Sequence, residues 1–113
     1  LDEISTTAST KISYLKENNT IDSMAISPSD FGFSTTTIDS LKGGEPNENA
    51  KIILDILNNK DKGPKRDIVI LNAGAGILIG GKSNSIEDAV KLAEESISSG
   101  EALGKLNQLA NVK

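Results

Sequence analysis

Apolar residues in the first third of the chain come in short, loosely alternating runs. From about residue 46 onward they recur at helical spacing. Residues 6–10 are small and hydroxyl-rich, which suits a loop. Thr10–Glu17 carries Ile12, Tyr14 and Leu15 between polar residues, and Thr20–Ser27 carries Ile21, Met24 and Ile26. Asn18-Asn19 lies between them, and asparagine tolerates the positive φ angles that tight hairpin turns need. The pattern predicts a β-hairpin. Pro28 stops its second arm, and Ser27–Thr37, with Asp30-Phe31-Gly32-Phe33 inside it, reads as an ordered loop. Ile38–Lys42 reads as one helical turn closed by Gly43-Gly44.

Four helices are predicted after that. Glu45-Pro46-Asn47-Glu48 has the proline and the carboxylates of a helix start. Ala50, Ile53, Leu54 and Leu57 then recur at i, i+3, i+4, i+7, one face of an amphipathic helix. Asp67–Gly81 is almost entirely apolar or small. Ile68–Leu71 followed by Gly74-Ala75-Gly76 imitates a strand leading into a dinucleotide-binding turn. The polar helix and the later acidic residue that such a motif requires are missing. A buried helix, apolar all round, with small residues for close packing, fits better. Ser85-Ile86-Glu87-Asp88 resembles a capping box with Asp in place of Glu. Ile86, Ala89, Val90, Ala93 and Ile97 share a face, and Gly100 is a good stop. Ala102, Leu103, Leu106, Leu109 and Ala110 make a last short helix. The apolar faces of four helices need more partner surface than one hairpin supplies, so part of a domain is expected to be missing. Residues 1–5 read like the interior of a longer chain.

Composition narrows the chemistry. The 113 residues include no Cys and no His, which excludes disulfides, thiolate catalysis, Ser-His-Asp triads and histidine metal sites. Carboxylates, lysines, hydroxyls and backbone remain. A net charge of −4 opposes nucleic-acid binding. The basic residues at 60–62 and 65–66 read as solvated loop charge. No apolar run reaches the roughly 18 residues of a membrane span, and no signal peptide is visible. A cytoplasmic protein without membrane or nucleic-acid partners is expected.

Asp2-Glu3 is the one adjacent carboxylate pair outside a helical pattern. Such a pair can ligate a hard cation through oxygen, although on its own it reads as solvated surface. Its context changes that. Leu1-Asp2-Glu3-Ile4-Ser5 with Thr6, Thr7 and Thr10-Lys11-Ile12 resembles the segment around the acidic motif of anthranilate phosphoribosyltransferases. Ser27-Pro28-Ser29-Asp30-Phe31-Gly32-Phe33 is similar to that family's Pro-x-Asp-Phe-Gly loop. Leu41-Lys42-Gly43-Gly44-Glu45-Pro46 with Glu48-Asn49-Ala50, then Arg66-Asp67, Leu71-Asn72-Ala73 and Ser99-Gly100-Glu101-Ala102, follow in the family's order. The chain departs from the family at Ala8-Ser9, where Gly-Pro is common, and at Gly74 and Gly76, which replace alanines.

The resemblance implies an α/β fold. Residues 1–113 would be the C-terminal portion of the large α/β domain of a nucleoside phosphorylase/phosphoribosyltransferase-like enzyme, a hairpin followed by about four helices. It implies transfer of phosphoribosyl from phosphoribosyl pyrophosphate to anthranilate in tryptophan biosynthesis. It also implies Mg²⁺ as cofactor and Asp2 and Glu3 as its ligands, with no catalytic or substrate-binding residue in this stretch. The family's phosphate loop and its helical dimerisation domain lie upstream of the matching region. A homodimer is therefore implied for the whole enzyme, and inactivity for this stretch alone. The alternatives are a non-catalytic acidic helical binding module or subunit, and a relative of the pyrimidine nucleoside phosphorylases.

Overall fold

The computed structural model describes residues 1–112. The expected order, a hairpin and then four helices, is the observed one. Strand β1 (Thr10–Leu15) pairs antiparallel with β2 (Ile21–Ile26), Thr10 opposite Ile26 and Leu15 opposite Ile21. Asn19 N–H donates to Lys16 O at 3.0 Å and Lys16 N–H to Thr20 O at 2.8 Å, closing the turn. Asn19 takes φ 64°, the left-handed conformation anticipated for the Asn-Asn pair. Only the base of the hairpin is tied to the rest. Ile26 is buried and Ile12 packs partly on the core, whereas Leu15 and Ile21 stay exposed.

The loop after Pro28 is more regular than the sequence implied. Pro28–Phe31 forms a 3-10 turn closed by Gly32 at φ 78°, which returns the chain so that Phe31 and Phe33 both pack against the core. Thr36 N–H donates to Thr6 O at 3.0 Å and joins this loop to the start of the chain. A second 3-10 turn, Ile38–Leu41, is held by Lys65 Nζ donating to Ser40 O at 3.1 Å.

Helix α1 (Pro46–Leu57) starts on its proline, and Glu45 N–H donates to the Glu48 carboxylate at 2.7 Å. Asn49 reaches back to Gly44, accepting from its N–H at 2.8 Å and donating to its C=O at 2.9 Å. The buried face meets the predicted one only at Leu57. Ile56 is buried and Ile52 and Leu57 pack on the core, while Ile53 and Leu54 of the predicted face stay 50% and 43% exposed. The helix has two apolar flanks, and its neighbours here cover only one.

Helices α2 (Pro64–Ile79), α3 (Ile86–Ser98) and α4 (Glu101–Ala110) complete the chain. The predicted cap of α3 forms, with Ser85 Oγ accepting from Asp88 N–H at 3.1 Å. All five residues of its predicted apolar face are buried. Gly100 separates α3 from α4 at φ 86°. The centre of the fold is the α2–α3 contact, with Ile70 and Leu71 fully buried against Val90, Ala93 and Ile97. Gly74 makes it close: a β-carbon there would lie 2.7 Å from Val90 Cγ2 and 3.0 Å from Val90 Cα. The strand reading of Ile68–Leu71 is excluded, since all four lie inside α2. That helix is not covered all round, because Val69 is 42% and Ile79 67% exposed on flanks that α3 does not reach. Among the described residues no helix is long and apolar enough to cross a membrane.

Candidate metal centre

Asp2 and Glu3 lie in the irregular segment ahead of β1, both exposed. They line one end of a cavity of about 500 Å³ between the hairpin and α2. Ile12, Tyr14 and Met24 form its hairpin side, Ala75, Leu78 and Ile79 its helix side, and Lys11 also lines it. Glu3 further borders a shallower hollow of about 410 Å³ lined by the hydroxyl residues Ser5, Thr7, Ser9 and Thr10.

Among the described residues, neither carboxylate belongs to an ion pair or accepts a hydrogen bond. Their oxygens are open to a cation, and hard oxygen donors suit Mg²⁺. No group of three or more candidate ligands gathers among the described residues. A Mg²⁺ ion here would take one or two protein carboxylates and fill its remaining positions with water or phosphate oxygens, the usual pattern for magnesium beside phosphates. The donor set fits on those terms.

The chain just beyond the pair is firmly held. Ile4 N–H donates to Asn72 Oδ1 at 2.9 Å, and Asn72 Nδ2 donates to Ile4 O at 2.9 Å. Ser5 N–H donates to Thr10 Oγ1 at 3.1 Å, and Thr7 N–H donates to Ser5 Oγ at 2.9 Å. Asn72 entered the sequence analysis only within the Leu71-Asn72-Ala73 match, with no role assigned; its chemical signal is a lone carboxamide within the otherwise apolar Ile68–Ile79, which a packed helix must supply with partners.

Asp67 titrates unusually. Partial burial raises its pKa above the ordinary 3.8, the neighbouring Arg66 opposes that, and the Glu94 and Asp61 charges add to it. Arg66 is itself buried, with Nη1 3.5 Å from Glu94 Oε1.

Residues 1–103 match the model of the "Glycosyl transferase family, a/b domain". The anthranilate phosphoribosyltransferase of Acetivibrio thermocellus is 45% identical over 108 residues, covering 96% of this chain and 31% of that protein. The enzyme of the same name from Petrotoga mobilis is 40% identical over 109 residues, again 96% of this chain and 31% of that protein. The chain thus spans about a third of the length of these curated relatives. Among solved structures, anthranilate phosphoribosyltransferase from Thermus thermophilus superposes with a TM-score of 0.72 at 40% identity, over 76% of this chain and 26% of that one. The Saccharomyces cerevisiae enzyme in complex with PRPP and Mg superposes with a TM-score of 0.82 at 27% identity, over 95% and 30%.

Proposed function

The chain belongs to the glycosyl transferase family, a/b domain, and on that footing we propose that residues 1–113 are the C-terminal segment of the α/β domain of an anthranilate phosphoribosyltransferase. The observation that carries the reading is the near end-to-end match with proteins of that one name, in sequence and in structure. The reaction moves phosphoribosyl from phosphoribosyl pyrophosphate to the amino nitrogen of anthranilate. The anomeric carbon gains positive character as pyrophosphate departs with the bonding electron pair.

Asp2 and Glu3 are the residues of this chain that would hold Mg²⁺. When bound, Mg²⁺ supplies neutralisation of the charge growing on pyrophosphate. The two carboxylates act as ligands with no acid–base duty. Among the described residues neither carboxylate is engaged in an ion pair, which supports that role by leaving their oxygens available to a cation. The remaining machinery belongs to the other two-thirds of the relatives' length. A cytoplasmic homodimer, paired through an N-terminal helical domain, completes the reading.

The test incubates the full-length gene product with anthranilate, phosphoribosyl pyrophosphate and Mg²⁺ and follows the loss of anthranilate fluorescence. Turnover that requires both substrates and stops on chelation of the metal is expected. Phosphorolysis of uridine or thymidine in its place would overturn the reading in favour of a nucleoside phosphorylase. No turnover of either would favour the binding module. Lewis-acid assistance is worth several kcal/mol, so Asp2→Ala with Glu3→Ala should lower turnover by at least roughly 100-fold. Unchanged turnover would remove the pair from the metal site.

A further inference from the structure

We propose that Asn72 is a positioning residue for the acidic pair: its carboxamide clamps the backbone of Ile4 and so fixes the direction in which Glu3 and Asp2 leave the fold. The proposal rests on the reading of that pair as Mg²⁺ ligands.

The clamp uses every main polar function of the side chain. Oδ1 accepts from Ile4 N–H at 2.9 Å, and Nδ2 donates to Ile4 O and to Ile68 O, both at 2.9 Å. A flipped amide would turn its nitrogen toward one N–H and its oxygen toward two carbonyls, so the orientation is determined by the partners. The bond to Ile68 O, one turn earlier in α2, fixes the side chain on its own helix. The other two bonds hold Ile4 as a neighbouring β-strand would. Asn72 lies immediately after Leu71, which is fully buried, so the clamp stands beside the centre of the core.

Ile4 follows Glu3 directly, and both its backbone N–H and its C=O are tied to Asn72. Asp2 and Glu3 have no side-chain partner of their own among the described residues, yet Glu3 and Asn72 border the same hollow. The Ile4 clamp thus holds the backbone position directly after the pair. Partners that orient metal ligands change metal affinity by roughly 10- to 100-fold when removed. Removing this one should weaken metal binding while leaving the carboxylates present. Asn49 makes the same two-bond clamp on Gly44.

The experiment measures Mn²⁺ binding to the full-length gene product by electron paramagnetic resonance, with and without phosphoribosyl pyrophosphate. Exchange of the Ile4 amide is followed in parallel. Asn72→Ser is the main variant. Its hydroxyl can bond back to Ile68 O within the helix but is too short to reach Ile4. Asn72→Ala removes all three bonds. Both should weaken Mn²⁺ binding by about tenfold or more and speed exchange at Ile4. Val90→Ala, which loosens the α2–α3 contact, should lower thermal stability and leave Mn²⁺ affinity unchanged. Asp2→Ala with Glu3→Ala tests the underlying reading separately and should abolish the site. If that double variant abolishes binding while Asn72→Ser retains wild-type affinity, the positioning role is overturned and the ligand assignment survives. If Val90→Ala weakens binding as much as Asn72→Ser at equal loss of stability, the clamp is structural only and the proposal is again overturned. If the double variant binds Mn²⁺ normally, the ligand assignment falls and the proposal with it.

Discussion

At the scale of single residues, the polar groups divide by whether the fold has given them partners. Asn49 and Asn72 both engage the oxygen and the nitrogen of their carboxamides on backbone. Asp2 and Glu3 stand free among the described residues. Asp67 is intermediate, a carboxylate in the first turn of α2 whose partial burial raises its pKa. The sign of its effect on stability follows. A folded-state pKa above the unfolded one contributes stability that is fully present below the ordinary value of 3.8 and lost as pH rises through the raised value. Asp67→Asn removes that term. Urea melts of both proteins at steps from pH 3.5 to 6.5 should therefore show the wild type losing ground to the variant as pH rises. A difference independent of pH would mean that Asp67 titrates alike in the folded and unfolded chains.

At the scale of elements, the two glycines of α2 stand in opposite surroundings. Gly74 faces Val90 so closely that an added β-carbon would press on the Val90 side chain and crowd its backbone, whereas Gly76 has open space around it. Overpacking costs roughly 1–3 kcal/mol and outweighs the helix-propensity gain of about 1 kcal/mol. Gly74→Ala should therefore lower the unfolding free energy, and Gly76→Ala should raise it by up to about 1 kcal/mol. Equal shifts for the two in thermal or urea melts would contradict the α2–α3 spacing. The structure gives a reason for glycine at 74, and nothing in it explains glycine at 76. The same helix shows what was legible in the sequence. Its existence followed from failed strand and dinucleotide patterns, and the buried face of α3 was read residue by residue from spacing. The buried face of α1 was misread because both of its flanks are apolar, and periodicity does not say which flank a neighbour will cover. The acidic pair was legible only through its resemblance to a family. Its clamp was not, because a contact between residues 4 and 72 leaves no mark in local spacing.

At the scale of the whole molecule, the chain is open for its size. Its accessible surface is 7596 Å², against about 5,900 Å² expected of a compact protein of this mass. Its radius of gyration is 15.0 Å, against about 13 Å expected. Apolar side chains account for part of that excess, with Leu1, Ile21 and Ile79 each about two-thirds exposed. Prepared as these 113 residues, the chain should bind an apolar fluorescent dye in its folded state. In sedimentation it should show a mass that climbs above 11.9 kDa with concentration. A dye-free monomer at all concentrations would mean that the apolar flanks close over one another in solution. The link between Ile4 and Asn72 has a further consequence, in the order of events during synthesis. The two residues are 68 positions apart. At a ribosome's pace of about 5–20 residues per second, Asn72 is added roughly 3–14 seconds after Ile4. Throughout that interval the two hydrogen bonds between Ile4 and Asn72 cannot form, so this tie between the acidic segment and the helices is made only after helix α2 has been synthesised.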